Sequence, residues 1–277
     1  MGLVSLARAA VGGLPFIPRG DRLPDRVVRV DERPIDRAHV AAYAAVTGLR
    51  YADAVPLTYP FVLTFPTVMS LLASFDFPFP AMGAVHTDNR ITALRPITVT
   101  DTVSFTTRAA NLREHRRGML ADVITEISVG NEPAWQQVST YLHQQRTSLS
   151  DEPKPPPAKG PRIGAPNAVL RITPAQIRRY ATISGDSNPI HTSGIGARLF
   201  GFPTTIAHGM FSAAAVLANV EGQLPEQVEY SVRFAKPVLL PATAGLYIDR
   251  VADGWDLTLR NVAKGFPHLT AAVREAG

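Results

Sequence analysis

An internal repeat is the feature that most constrains the fold of this chain. Residues 35–48, IDRAHVAAYAAVTG, align with residues 172–185, ITPAQIRRYATISG, at a single offset of 137 positions. The aligned residues include tyrosine, alanine and glycine at equivalent positions, such as Tyr43 and Tyr180. Because the matches occur in one order at one offset, we expect two copies of the same folding unit.

A segment crowded with proline and glycine separates the two copies. Residues 151–166 read DEPKPPPAKGPRIGAP and carry no apolar periodicity, which is typical of an extended linker. We therefore expect a first domain over residues 1–150, a linker over residues 151–168 and a second domain over residues 169–277.

The pattern in each copy predicts an amphipathic helix, a loop, a long apolar helix and then several strands. In the second copy, residues 204–220 are apolar on nearly all sides, which predicts a long buried helix. Strands are predicted at residues 98–109, 119–130 and 134–144 in the first copy and at residues 227–235, 243–252, 255–263 and 267–274 in the second. This order implies an α+β fold in which an antiparallel sheet covers one helix in each half.

The octet SGDSNPIH, residues 184–191, is a candidate reactive loop. Its glycine ends the preceding helix, and its proline forces Asn188 into an extended conformation. Such a loop can bring the Asp186 carboxylate beside the His191 imidazole, where the pair would hold and activate one water molecule. The alternative is a polar turn that only satisfies its own hydrogen bonds.

A second candidate is the segment IAHGM, residues 206–210, at the start of the buried helix. A helix N-terminus presents unpaired N–H groups and partial positive charge, which suits a developing oxyanion. Gly209 would let a thioester carbonyl approach the backbone without meeting a Cβ atom. The plainer alternative is that Gly209 only permits close packing.

The repeat provides an internal comparison for both candidates. In the first copy, Leu49 takes the place of Asp186, Ala54 takes the place of His191, and Phe65-Pro66 replaces the His-Gly pair. Proline has no N–H to donate. The acid, the base and the donor are all missing from one half, which favours a catalytic second half and a non-catalytic first half.

The two motifs closely resemble the signature of MaoC-like dehydratases, the (R)-specific enoyl-thioester hydratases and 3-hydroxyacyl-thioester dehydratases of the hot dog fold. The resemblance covers the chain from about residue 169 to the end, and the first half resembles the degenerate hot dog of two-repeat, actinobacterial members. It implies a double hot dog, in which two antiparallel sheets each wrap around a long central helix. One chain would then form a pseudo-dimer, and further pairing into a homodimer stays open.

By this resemblance, Asp186 and His191 are the catalytic pair, and the Gly209 N–H polarises the thioester carbonyl. Asn188 would support the loop and the water. Ser193 is the other supporting candidate, and it departs from the family pattern, where an acidic residue often stands two positions after the histidine. The acyl-chain preference is therefore open.

The candidate substrate-binding residues are His208 and three cations expected near the mouth of the site. These cations are Arg198, Arg233 and Lys236, which would meet the phosphates of CoA or the phosphopantetheine arm of an acyl carrier protein. Solvated surface charge explains the three cations equally well.

The resemblance implies reversible hydration of a trans-2-enoyl thioester to a (3R)-3-hydroxyacyl thioester in fatty acid metabolism. No metal or separate cofactor is expected, because CoA or phosphopantetheine is part of the substrate. The first half would receive the acyl chain around residues 61–79. A hot dog thioesterase and a non-catalytic acyl-thioester binding subunit are the alternatives.

The composition of the chain excludes several other classes of function. The chain has no cysteine, which excludes thiol catalysis and disulfides and fits a cytoplasmic location. The net charge is +5, yet no stretch interleaves basic and aromatic residues, so nucleic acid is not an expected partner. Residues 1–20 predict a short amphipathic helix, and no run approaches the ~20 apolar residues of a membrane span.

Overall fold

The computed structural model describes residues 19–153 and 164–276. The predicted N-terminal helix and most of the proline-rich linker lie outside these residues. Among the described residues, none of the helices has the length and hydrophobicity of a membrane span.

The first half, over residues 19–153, contains five strands and two helices. The strands are β1 (Val28–Pro34), β2 (Ala84–Ala93), β3 (Thr102–His115), β4 (Gly118–Val129) and β5 (Glu132–Gln144). The helices are α1 (Arg37–Thr47) and α2 (Tyr59–Leu72), which lie between β1 and β2.

The second half, over residues 164–276, repeats this order with two additional short helices. Its strands are β6 (Ala168–Ile172), β7 (Val228–Phe234), β8 (Ala242–Val251), β9 (Gly254–Asn261) and β10 (Pro267–Glu275). Its helices are α3 (Pro174–Ser184), α4 (Pro189–Thr192), α5 (Gly194–Leu199) and α6 (Gly209–Leu217), and a 3₁₀ turn follows at Glu221–Gln223.

All ten strands form one antiparallel sheet in the order β1-β3-β4-β5-β2-β7-β10-β9-β8-β6. The order of the first five strands is mirrored by the last five, so the repeat seen in the sequence is also a repeat of topology. The halves join where β2 pairs with β7, with Asn89 opposite Val232 and Ile91 opposite Tyr230. The two expected sheets are therefore halves of one continuous sheet.

The predicted strands are present, but the buried helix of the second half is shorter than expected. It spans Gly209–Leu217 rather than residues 204–220. The preceding backbone is held by other partners: the Ile206 N–H donates to the Ile190 carbonyl, and the Ala207 N–H donates to the Val238 carbonyl. Strands β1, β2 and β6 were not predicted.

The helices that carry the repeat begin and end with matching caps. The Asp36 side chain accepts from the first turn of α1, and Thr173 forms a capping box at the start of α3. Both helices stop at a glycine with positive φ, 84° at Gly48 and 74° at Gly185. In the second half, this left-handed end at Gly185 leads directly into the candidate loop.

A shared hydrophobic core joins the two halves. The equivalent tyrosines Tyr43 and Tyr180 face each other, with ring centroids 6.2 Å apart. Nearby, Nε2 of His39 bonds to the main-chain carbonyl of Ile183 at 2.8 Å. The first half therefore supports the helix that leads into the candidate loop of the second half.

Candidate active site

The loop after α3 is held by its own side chains. The Asn188 N–H donates to Oδ1 of Asp186 at 3.2 Å, and Oδ1 of Asn188 accepts from the Ile190 N–H at 3.2 Å. The second bond caps α4 and sets the direction of that helix. One carboxylate oxygen of Asp186 is thereby committed to the loop, and Oδ2 is left to face the histidines.

His191 lies on α4 and is nearly buried, with 9% of its surface exposed. Its Nδ1 bonds to the main-chain carbonyl of Ile206 at 2.9 Å, so Nδ1 carries the proton and Nε2 carries the lone pair. Burial lowers the pKa of His191, an effect that the nearby Asp186 charge opposes. The ring is therefore neutral at neutral pH, with a basic nitrogen available.

His208 stacks on His191, with ring centroids 3.7 Å apart. Its Nε2 donates to the main-chain carbonyl of Asp186 at 3.0 Å and lies 3.8 Å from the carboxylate oxygen Oδ2. Burial lowers the pKa of His208 to about 4, so the ring is neutral and the contact with the carboxylate is not an ion pair. His208 thus holds the loop in place, and its contact with substrate stays a prediction.

Gly209 is the first residue of α6. The preceding residue, His208, accepts no side-chain hydrogen bond at the helix start, so its side chain does not cap the helix. A methyl group at Gly209 would lie 3.1 Å from Cε1 of Phe234, so the ring would have to move by a few tenths of an ångström to accommodate it. Close packing on Phe234 therefore favours glycine here, and donation to a thioester oxygen stays a prediction.

The repeat aligns Phe65-Pro66 with the start of α6, but the equivalent helix of the first half does not begin there. Helix α2 begins at Tyr59, so Pro66 lies in its interior rather than at its start. Leu49 is buried in the core, and Ala54 forms a bridge with Thr98. The first half thus has no helix start at the position where α6 begins in the second.

Ser193 caps the start of the short helix α5, and Arg198 lies in its last turn. The Ser193 hydroxyl accepts from the Gly196 N–H at 3.2 Å and so caps this helix, which is a supporting role for the loop. A methyl group at Gly196 would lie 2.5 Å from Cβ of Pro189, so α5 packs closely on α4. Arg198 points to solvent from the last turn of α5.

The other two candidate cations, Arg233 and Lys236, are exposed. Arg233 is 78% exposed and bonds to Asp88 at 2.9 Å across the β2–β7 junction. Its neighbour Phe234 faces Gly209, so Arg233 points to the opposite face of the sheet. The Lys236 ammonium lies 4.4 Å from the centroid of the Phe266 ring. The structure does not bring Arg233 to the site.

Two residues of the first half face the site and were missed. Burial lowers the pKa of His86 to about 4 and raises the pKa of Tyr141, and the Asp186 carboxylate acts on both groups. The His86 ring lies 4.8 Å from Tyr141 and 5.1 Å from Phe234. His86 lies on β2, a strand that was not predicted, and Tyr141 lies on the predicted strand β5 but belongs to no motif that links it to the loop.

Asp186, His191 and His208 form the one cluster of potential metal ligands in the described part of the chain. Their ligand atoms lie within 4.8 Å of one another. The two stacked rings are inclined by 28° to each other. Catalysis without a metal stays a prediction.

The chain is similar to known dehydratases in sequence. A family model described as MaoC like domain matches residues 161–271. The 3-hydroxyacyl-thioester dehydratase X of Mycobacterium tuberculosis is 70% identical over 273 residues, which cover 99% of this chain and 98% of that protein. The resemblance inferred from the two motifs is confirmed.

The fold is similar to those of solved structures. A crystal structure of HtdX from Mycobacterium tuberculosis matches with a TM-score of 0.82 and 65% identity, over 91% of this chain and all of that one. A MaoC-like dehydratase from Phytophthora capsici matches with a TM-score of 0.74 at 18% identity, over 92% of this chain and 96% of that one. The predicted α+β double hot dog is thereby confirmed, and the chain belongs to the family of MaoC-like dehydratases.

Proposed function

We propose that the chain catalyses the reversible hydration of trans-2-enoyl thioesters to (3R)-3-hydroxyacyl thioesters. The observation that carries this proposal is the pairing of a neutral His191 with the Asp186 carboxylate. His191 donates its Nδ1 proton to the Ile206 carbonyl, which leaves Nε2 as the basic nitrogen, and a ring nitrogen of His191 lies within 4.8 Å of an Asp186 carboxylate oxygen. The name of the similar protein, 3-hydroxyacyl-thioester dehydratase X, supports the same reaction class.

In the hydration direction, Asp186 and His191 bind one water molecule. The imidazole takes a proton as the water oxygen forms a bond to C3, and electrons shift through C2 to the thioester oxygen. The Gly209 N–H stabilises the negative charge on that oxygen. The catalytic pair then returns one proton to C2, so the net change is the addition of one water molecule and the base is restored.

The electrostatic environment suits this role of His191. Burial keeps the free imidazole neutral and so ready to accept a proton. Once the imidazole is protonated, the adjacent carboxylate stabilises the positive charge, which limits the energetic cost of the step. A general base works best when it is neutral before the reaction and can be charged during it.

The substrate is proposed to be an acyl thioester of CoA or of an acyl carrier protein, in fatty acid metabolism in the cytoplasm. No separate cofactor enters the mechanism, since the thioester itself activates C3. The acyl chain would extend from Gly209 toward the first half, past Phe234 and His86. This direction is supported by the ring contact between those two residues and by the close packing of Phe234 on Gly209.

Crotonyl-CoA tests the proposal and its alternatives in a single assay. Loss of enoyl absorbance without release of free CoA supports a hydratase. Release of free CoA would instead indicate a thioesterase, and neither change would indicate an acyl-thioester binding subunit. A hydrated product of the (3S) configuration would contradict the proposed stereochemistry.

A further inference from the structure

Five buried polar side chains form a row across the inner face of the first half of the sheet. Each is at most 3% exposed: Asn89 on β2, Thr107 on β3, Thr125 on β4, and Gln137 and Ser139 on β5. Thr107 pairs with Thr125, Thr125 pairs with Gln137, and Asn89 pairs with Ser139. We call these five residues the inner polar row. The hydroxyl of Thr67 on α2 lies 3.2 Å from that of Thr107, so the row faces the helix side of the sheet.

The second half of the sheet carries no such row at its inner face in the described residues. The buried side chains on its four central strands are apolar apart from His268: Val228, Tyr230, Val232, Ala244, Leu246, Leu257, Leu259, Leu269, Ala271 and Val273. Tyr230 is the one among these with a polar end, and its hydroxyl donates to the Ala213 carbonyl. The shared fold is therefore stable without polar groups on this face.

Most hydrogen-bonding groups of the inner polar row are paired within it. The side-chain amides of Asn89 and Gln137 donate to the Ser139 hydroxyl at 3.0 and 2.9 Å. The hydroxyls of Thr107 and Thr125 lie 3.2 Å apart. The exception is Oδ1 of Asn89, which is buried and has no partner among the described residues. An unpaired buried acceptor costs about 1–3 kcal/mol, so its presence on a face that can be apolar points to a ligand.

The inner polar row begins next to the candidate active site. Nδ2 of Asn89 lies 3.4 Å from Nε2 of His86, and the His86 ring packs against Phe234, which in turn packs on Gly209. Burial is the main cause of the shifted pKa of His86, and the Asp186 charge also acts on it. These contacts form one continuous series from the reacting centre to the unpaired oxygen.

We propose that the inner polar row binds a hydroxyl group on the acyl chain of the substrate, with Oδ1 of Asn89 as the acceptor. The proposal rests on the proposed function, which directs the acyl chain into the first half. The free atom is an acceptor, so it selects a group with a hydrogen to donate; a keto oxygen or a carboxylate has none. The protein would thus prefer a hydroxylated acyl chain over an unsubstituted chain of the same length.

Calorimetric binding of saturated acyl-CoA thioesters tests the proposal without requiring turnover. The probes are octanoyl-CoA and octanoyl-CoA derivatives with one hydroxyl group, moved carbon by carbon from the middle of the chain to its end. We expect about tenfold tighter binding at one hydroxyl position, the effect of one additional hydrogen bond. Asn89→Leu keeps the size of the side chain and removes the acceptor. In this variant, the affinity for the preferred hydroxylated acyl-CoA divided by the affinity for octanoyl-CoA should fall to about one.

Asn219→Leu provides the matched control, because Asn219 is an exposed asparagine at the end of α6 and should keep the wild-type ratio. The proposal is overturned if no hydroxylated chain binds tighter than octanoyl-CoA, if no acyl-CoA binds, or if Asn89→Leu keeps the preference. If Asn89→Leu does not fold, the affinities of the wild type for octanoyl-CoA and its hydroxylated derivatives still test the proposal. Hydration of crotonyl-CoA is measured separately, so failure of the proposed function is distinguishable from failure of this inference.

Discussion

His191 and His208 stack with their ring centroids 3.7 Å apart, and both rings are held by main-chain carbonyls. His191 is held by Ile206, and His208 by Asp186. The segment before α6 therefore holds the base directly and the acid through its backbone. Two motifs that are separate in sequence therefore support the proposed catalytic pair together.

Removal of the catalytic pair should abolish most of the activity while the fold is retained. Asp186→Asn and His191→Ala should each lower the rate of crotonyl-CoA hydration by roughly 10²–10⁴, the usual contribution of an acid–base group. Initial rates from enoyl absorbance, with circular dichroism as the check on folding, measure this effect. Wild-type turnover in either variant would contradict the mechanism.

His208 should act as a positioning residue. His208→Leu leaves the Asp186 carbonyl without its donor, so we expect a loss of about 1–3 kcal/mol in the free energy of unfolding. The value of kcat should fall, whereas KM should change little, because the main effect is displacement of the Asp186 loop. His208→Gln can still donate to the carbonyl and should recover part of kcat. A change confined to KM would instead assign His208 to substrate binding.

Stability should fall between neutral pH and about pH 4. Burial lowers the pKa of His86 and of His208 from 6.5 to about 4, so below pH 6.5 the unfolded chain binds protons that the folded chain does not. Stability is therefore full above pH 6.5, and each histidine accounts for a loss of up to about 3 kcal/mol as the pH falls. Urea denaturation at several pH values in this range measures the free energy of unfolding of the wild type, His86→Gln and His208→Gln.

Each of these two variants should show a shallower dependence of stability on pH than the wild type. His115→Gln is the matched control, because His115 lies at the β3–β4 turn outside the site. An unchanged slope in both His86→Gln and His208→Gln would show that these histidines are not responsible.

A methyl group at Gly209 should destabilise the protein through Phe234. Gly209→Ala places a Cβ atom 3.1 Å from the Phe234 ring, and such overpacking typically costs about 1–3 kcal/mol. Gly194→Ala is the control, because a Cβ atom there meets nothing within 4 Å. Thermal unfolding of both variants provides the comparison; equal stability would mean that the ring moves aside freely.

Arg233 should contribute little to substrate binding. It pairs with Asp88 on the outer face of the sheet, so Arg233→Ala should leave the KM for acyl-CoA unchanged and cost at most about 1 kcal/mol of stability. Arg198→Ala, which changes a solvent-facing cation next to the catalytic loop, is the informative comparison. A tenfold rise of KM in Arg233→Ala would place the CoA phosphates on the outer face.

The parts of the candidate site that depend on contacts between residues close together in the chain could be predicted from the sequence. Asp186, Asn188 and His191 are brought together by a left-handed glycine, a proline and an asparagine cap within one octet, and these act on their immediate neighbours. The repeat could also be read directly, because it needs only comparison of the chain with itself. The difference between Asp186 and Leu49 at equivalent positions is therefore sufficient to identify the candidate half.

The contributions of distant strands were decided by the tertiary structure alone. In a strand, neighbouring side chains point to opposite faces, so a register shift of one residue exchanges the inner and outer sets. This alternation directs Phe234 toward Gly209 and Arg233 toward Asp88. The identities of the two residues alone do not predict which face each one occupies. His86, and Asn89 next to it, lie close to the candidate site because β2 pairs with β7. The sequence determined the candidate catalytic pair and its loop, and the strand pairing of the two halves determined what surrounds them.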